Sequence, residues 1–370
     1  MSALYIHVPF CQSRCIYCDF YSTTLGRDIC LEYVRAVARE MSLRKQNLKD
    51  SRIHTVYLGG GTPSMLPAVA LRELFDAIDR NFLLEMEAEV TIEANPDDVT
   101  KEWLRGVSET PVNRISMGAQ TFNDNLLSFL GRRHNASQTA EAVRLCRGTG
   151  FQNISIDLIY GLPGQTMDDW KNDVEKALAL GITHLSAYAL SYEEGTRLDA
   201  MLKDGLVEEV DEELSRRMYD HLMSATAAAG FLHYEISNFA LPGYHSRHNS
   251  IYWQGMPYLG LGAGAHSYDG IRCRRANLPD IKAYIAAKGD APHETEELND
   301  DELYNEFILT RLRTSSGIPL EELSPTDRQY CLSLASPHLK HQLLHIEDNH
   351  LRLSKEGIFT SNDIISDLMK

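Results

Sequence analysis

Three of the chain's seven cysteines fall within one short stretch, HVPFCQSRCIYCDFYS: Cys11, Cys15 and Cys18, spaced C-x3-C-x2-C. A closed tetrahedral zinc site needs a fourth nitrogen or sulfur donor nearby, and the residues that follow, Asp19 and Phe20, are poor candidates for that role. Three thiolates with one coordination position left over suit a metal centre that binds something else. Thiolates select iron–sulfur clusters and other soft metals over magnesium or calcium. The spacing therefore points to a [4Fe-4S] cube held at three corners, with its fourth iron open. The odd cysteine count argues against a disulfide framework. Cys30, Cys146, Cys273 and Cys331 are scattered along the chain and read as small buried apolar side chains or idle thiols.

Such a trio has to be positioned, and the first half of the chain shows how. Short β-rich runs at 3–9, 55–60, 89–96, 113–120, 153–161 and 184–191 alternate with helical patterns near 28–48, 67–80, 100–107, 137–149 and 168–179. This alternation means parallel strands joined by right-handed crossovers. Six such units are too few for a closed eight-stranded barrel and enough for a partial (β/α)6 barrel. In these folds the loops after the strands form the active face, and the polar, glycine-rich segments lie there: the cysteines after the first strand, then GGGTP, EANPDD, GAQTF and YGLPGQT. Gly59, Gly60 and Gly61 let backbone approach a ligand, and Thr62 and Pro63 fix the exit of that loop.

The rest of the chain reads as a helix near 209–229, a connecting segment over 231–295, and a small C-terminal unit over 296–370. The connecting segment is rich in aromatics, histidines and glycines and has no clear period, so it is expected to cover the barrel mouth or line a ligand cavity. The tail suggests helices plus a β-hairpin, a winged-helix-like arrangement whose acidity argues against DNA binding. With 36 basic against 52 acidic residues and a formal net charge of -16, non-specific binding to nucleic acid or anionic membranes is disfavoured. No apolar run is long enough to span a bilayer, and the first ten residues carry no Lys or Arg. The expectation is a cytoplasmic protein without a secretion signal.

The cysteine motif after the first strand, followed by GGGTP, resembles the radical SAM superfamily. That resemblance implies S-adenosylmethionine (SAM) chelated at the open iron and reductive cleavage of its sulfonium bond. Within the superfamily, YIHVPFC, GGGTPS, EANPDD, RISMGAQTF and DLIYGLPGQT resemble the branch of oxygen-independent coproporphyrinogen oxidases (HemN) and the related heme chaperones (HemW) along nearly the whole chain. By that similarity Tyr5 and Tyr17 flank the cluster and SAM, and Glu93, Gln120, Arg132 and Asp157, with Gly60, Gly61 and Thr62, hold SAM. Carboxylates accept from ribose hydroxyls or an ammonium, and a guanidinium pairs with a carboxylate.

Two departures separate this chain from the oxidases of the branch: Phe20 stands where they carry a fourth cysteine, and only ten residues precede Cys11 where they carry a long extension. RHNSIYW contains H-N-x-x-Y-W, namely His248, Asn249, Tyr252 and Trp253, which resembles the chaperone pattern. A neutral imidazole is a good axial ligand for heme iron, and Tyr and Trp offer flat faces to a porphyrin. His245, His233 and His266 lie close in sequence and compete for the same role. The expected function is a heme chaperone with heme-acceptor proteins as partners, making peripheral contact with membrane hemoproteins, and either monomeric or a cluster-dependent dimer. The alternatives are coproporphyrinogen oxidative decarboxylation and radical chemistry on an unrelated substrate.

Overall fold

The computed structural model describes residues 2–48 and 50–370. In its first part strands and helices take turns as β1 (Ala3–Val8), α1 (Cys30–Arg44), β2 (Arg52–Gly60), α2 (Ala68–Asn81), β3 (Leu83–Ala94), α3 (Lys101–Ser108), β4 (Arg114–Gln120), α4 (Asp124–Phe129), α5 (Ala136–Gly148), β5 (Asn153–Tyr160), α6 (Met167–Ala179) and β6 (His184–Ala189). The strands pair in parallel in chain order, with Tyr5 opposite Tyr57 and Asp157 opposite Ser186. This is the partial (β/α)6 barrel that the alternation implies.

Local sequence sets the helix starts. Asn135 accepts from the backbone N–H of Gln138, whose side chain reaches back to close a capping box, and Thr166 does the same with Asp169. Along β1 and β2, Leu4, Ile6, Val8, Val56 and Leu58 turn outward into the main core under the helices. Leu71, Leu74 and Ile78 of α2 meet that layer, each contributing about 1.5–3 kcal/mol by burial. The alternate residues Tyr5, Thr55 and Tyr57 face the concave interior, where side chains stack and hydrogen-bond instead.

After β6 come α7 (Arg197–Lys203) and α8 (Glu212–Ala228), then β7 (Leu232–Glu235), β8 (Asn238–Ala240), α9 (Arg247–Trp253), β9 (Tyr258–Leu261), β10 (His266–Tyr268), β11 (Cys273–Asn277), α10 (Ile281–Ala286) and β12 (His293–Glu297). These elements give 231–295 a regular structure: the segment extends both edges of the sheet, whose order is β12-β11-β10-β9-β1-β2-β3-β4-β5-β6-β8-β7, and contributes Asn249 to the lining of the cavity described below. β9 runs parallel to β1, and β8 antiparallel to β6. Strands of three to five residues are too short to show a period, which is why the sequence read as irregular.

The C-terminal unit comprises α11 (Asp300–Leu312), β13 (Ile318–Pro319), α12 (Pro325–Lys340), β14 (Leu344–Glu347), β15 (His350–Leu353), α13 (Lys355–Phe359) and α14 (Ser361–Leu368), with a three-stranded sheet ordered β13-β15-β14 and a core of its own around Ile308, Leu312 and Leu351. The helices and β-hairpin expected of the tail are present; Ser324 caps α12 and Pro325 opens it. This unit holds the barrel through the Arg313–Glu235 ion pair at 3.3 Å and by placing the Arg313 guanidinium over the Trp253 ring. Among the described residues no helix is long and apolar enough to cross a membrane.

Candidate functional site

One cavity of about 560 Å³ opens at the carboxyl ends of the parallel strands. Cys11, Cys15 and Cys18 all line it, and no other cysteine and no histidine does so among the described residues. Their loop is pinned at its base, where Cys11 N–H donates to Thr23 O at 2.9 Å and Thr23 N–H to Pro9 O at 2.6 Å. Ile16 N–H donates to Leu130 O, and Arg14 reaches across to Ser22. The loop therefore has its own backbone framework, independent of anything the thiols bind. Three thiols on one loop are the donor type that a cluster with three protein ligands takes, although among the described residues no three His, Cys, Asp or Glu side chains are gathered as a metal-holding group.

The GGGTP loop sits against the cysteines. Gly61 packs on the backbone of Val8–Phe10, where an added Cβ would meet carbonyl oxygens at 2.8 Å, and the Thr62 hydroxyl lies 3.4 Å from Cys11 Sγ. Gly60 has φ +108 and lies so close to the His7 ring that a Cβ would fall into the imidazole. Gly60→Ala is expected to cost at least about 2 kcal/mol by denaturant unfolding. Gly243→Ala, at φ +85 in open space, is the control; equal losses in the two variants would show that the His7 contact does not matter.

Glu93 lies behind this loop. It accepts from Tyr57 OH at 2.7 Å and from Gly60 N–H at 3.2 Å, and burial pushes its carboxyl up to about 7. Asp157, on β5, is also raised by burial. Gln120 lines the cavity with φ +67, at an irregularity in the β4–β5 register next to Gly118; a non-glycine residue in this conformation is strained and marks a constrained loop. Arg132 donates to Gly118 O at 2.6 Å, to Asn95 Oδ1, and to Cys15 Sγ at 3.4 Å. Tyr17 lines the same wall. Tyr5 does not line the cavity; it stacks on Tyr57 and hydrogen-bonds His7 Nδ1 at 3.0 Å.

The residues expected to hold heme are placed differently. His248 is 1% exposed at the base of the barrel interior. Its Nδ1 is 2.8 Å from Thr55 Oγ1 and its Nε2 is 2.9 Å from Tyr252 OH. Its ring stacks on Tyr57 at 5.1 Å, and burial lowers its pKa to about 3, so it is neutral. Glu89 accepts the backbone N–H groups of Arg247 and His248, docking the start of α9 into the barrel. In this arrangement both ring nitrogens of His248 are engaged within the protein. Of the four motif residues only Asn249 lines the cavity. Among the competing histidines, His233 stacks on Phe239 and bonds Ile236 O, His245 stacks on Tyr234, and His266 is exposed on β10; they do not converge on one point.

Several residues of the site were not singled out in the sequence. Asn95 holds Arg132, and Arg133 pairs with Asp97 and Asp98 at 3.1 Å. Their positions within EANPDD and beside Arg132 were the available signal. Asp173 on α6 binds Thr121 Oγ1 at 2.7 Å and Phe122 N–H at 2.6 Å, tying the GAQTF loop to the helix behind it. Arg114 and Ser186 also line the cavity from strand interiors, where nothing in the sequence distinguishes a lining residue from a core one.

Comparison with known proteins fits this geometry. The family model of the radical SAM superfamily matches residues 5–177, and that of the HemN C-terminal domain matches 298–360. The heme chaperone HemW of Lactococcus lactis is 39% identical over 87% of this chain and 84% of its own length. That of Bacillus subtilis is 35% identical over 98% of both. Among solved structures, coproporphyrinogen III oxidase (HemN) from Escherichia coli superposes with a TM-score of 0.85 at 21% identity, covering 100% of this chain and 90% of its own, a likeness of fold.

Proposed function

This chain belongs to the HemW family of the radical SAM superfamily, and from that premise we propose that it is a heme chaperone: it binds a [4Fe-4S] cluster, SAM and heme, and passes heme to acceptor hemoproteins. The observation that carries the reading is the meeting of the three cysteines with the GGGTP, EANPDD and GAQTF loops around a single cavity, in a chain similar over nearly its whole length to proteins named as heme chaperones.

Cys11, Cys15 and Cys18 would hold the cluster, which when loaded with SAM supplies one-electron chemistry at the sulfonium. Glu93, Gln120, Arg132 and Asp157 would orient SAM, with Tyr17, Gly60, Gly61 and Thr62 forming the wall nearest the cysteines. Glu93, raised to about 7, can either accept or share a proton near neutrality, which suits a partner that brings both an ammonium and hydroxyl groups. Tyr5 acts one layer down, bracing His7 against Gly60. An axial role for His248 would require α9 to withdraw from the barrel base, breaking its bond to Thr55, and the ring to turn away from Tyr252 on the same helix.

The test is a heme titration of anaerobically purified protein with and without the cluster, alongside an assay of coproporphyrinogen consumption with SAM and reductant. Saturable growth of a heme absorption band without decarboxylation is the expected result. Decarboxylation with no heme binding would reverse the assignment in favour of the oxidase.

A further inference from the structure

Arg114 is 2% exposed and lines the cavity, yet it makes no ion pair and its Nε has no hydrogen-bond partner among the described residues. Its neighbour in register across the β3–β4 pair is Thr91, whose buried Oγ1 is also without a partner. Burying a guanidinium without a carboxylate in contact is costly, and the cavity's own acids act on it only through space. Glu93 is committed to Tyr57 and Gly60, and Asp157 to Ser116 and Ser186. Burial also holds both acids toward their neutral forms. The other guanidinium groups lining the cavity are committed: Arg132 to Asn95 and the Gly118 carbonyl, Arg14 to Ser22, and Arg133 to Asp97 and Asp98. The cavity wall thus presents a guanidinium that no carboxylate touches, with Glu93 and Asp157 acting on it only through space.

The rim has the opposite character. Phe20 is 62% exposed and Tyr188 42% exposed, and both line the cavity. A cation inside with flat apolar faces outside matches one class of ligand, a planar apolar ring that carries an acid arm.

We propose that Arg114 is a carboxylate subsite, and that it takes the propionate arm of a porphyrin whose macrocycle lies against Phe20 and Tyr188. The assignment of the ligand as a porphyrin rests on the heme-chaperone reading; the carboxylate subsite does not. No bond is made or broken. The acid arm replaces water around the guanidinium, and the ester of the same arm, lacking charge, gains nothing there.

The experiment compares heme with heme dimethyl ester on the wild-type chain, on Arg114→Gln and on Arg114→Lys, and separately follows the melting temperature in sodium propionate against sodium chloride at equal ionic strength. Wild type is expected to bind the diacid at least about tenfold more tightly than the diester. Arg114→Gln should lower diacid affinity to the diester's level and leave diester affinity unchanged. Arg114→Lys should keep part of the preference. Propionate should raise the melting temperature of wild type and not of Arg114→Gln. Equal affinity of wild type for diacid and diester, or a parallel loss of both in Arg114→Gln, overturns the proposal, and the wild-type comparison decides it even if the Gln variant does not fold. If neither macrocycle binds wild type while propionate still stabilises it in an Arg114-dependent way, the subsite stands and the heme reading falls. If propionate is also without effect, both fall.

Discussion

Cys15→Ser strips the protein of its iron–sulfur absorbance, even after anaerobic reconstitution, while its unfolding transition without the cluster stays within about 2 °C of wild type. A serine hydroxyl is a poor ligand for a soft metal, and no further cysteine or histidine lines the cavity to take its place among the described residues. The fold survives because the loop is held by backbone hydrogen bonds at Cys11, Thr23 and Ile16, with Arg14 tied to Ser22. The hydrogen bond that Arg132 donates to Cys15 Sγ is weak at 3.4 Å, and a serine oxygen can accept it as well. A normal [4Fe-4S] spectrum in this variant would sink the ligand assignment and, with it, the reading of the cavity.

His248→Ala lowers stability by about 2–4 kcal/mol, read as a shift in the midpoint of denaturant unfolding. The substitution leaves Thr55 Oγ1 and Tyr252 OH without their partner in a buried site, at about 1–3 kcal/mol for an orphaned group, and removes a ring stacked on Tyr57. The heme spectrum of the folded variant is expected to keep its band positions, because the wild-type ring has both nitrogens occupied inside the protein. A small stability change together with shifted heme bands would reverse the argument, showing that α9 leaves the barrel and that His248 reaches the iron.

What could be read from the sequence divides along physical lines. The six parallel strands and the longer helices between them were legible because each is long enough to show its period, whereas the six-residue α4 was not. The cysteine trio was legible because its spacing is chemical and needs no fold. The HNxxYW segment was legible as a motif but not as a placement: α9 has seven residues, and the partners that saturate His248 come from β2 and from α9 itself. Arg114 was hidden for a similar reason. An arginine in a strand that faces a concave interior looks the same in sequence as one that faces solvent, and only the folded structure shows that its Nε has no hydrogen-bond partner. The edge strands were missed because they are short and take their conformation from the strands they join.

The pairing of β9 with β1 sets an order of events for the growing chain. Leu4 and Leu259 are neighbours in the finished sheet, so as the chain leaves the ribosome one flank of its earliest strand stays unpaired until more than two-thirds of the polypeptide has been made. Closing so long a loop is slow, and an open strand flank is a template for intermolecular pairing in the meantime. Synthesis rate and the holding factors that meet the nascent chain therefore bear on the yield of this protein, besides its final stability.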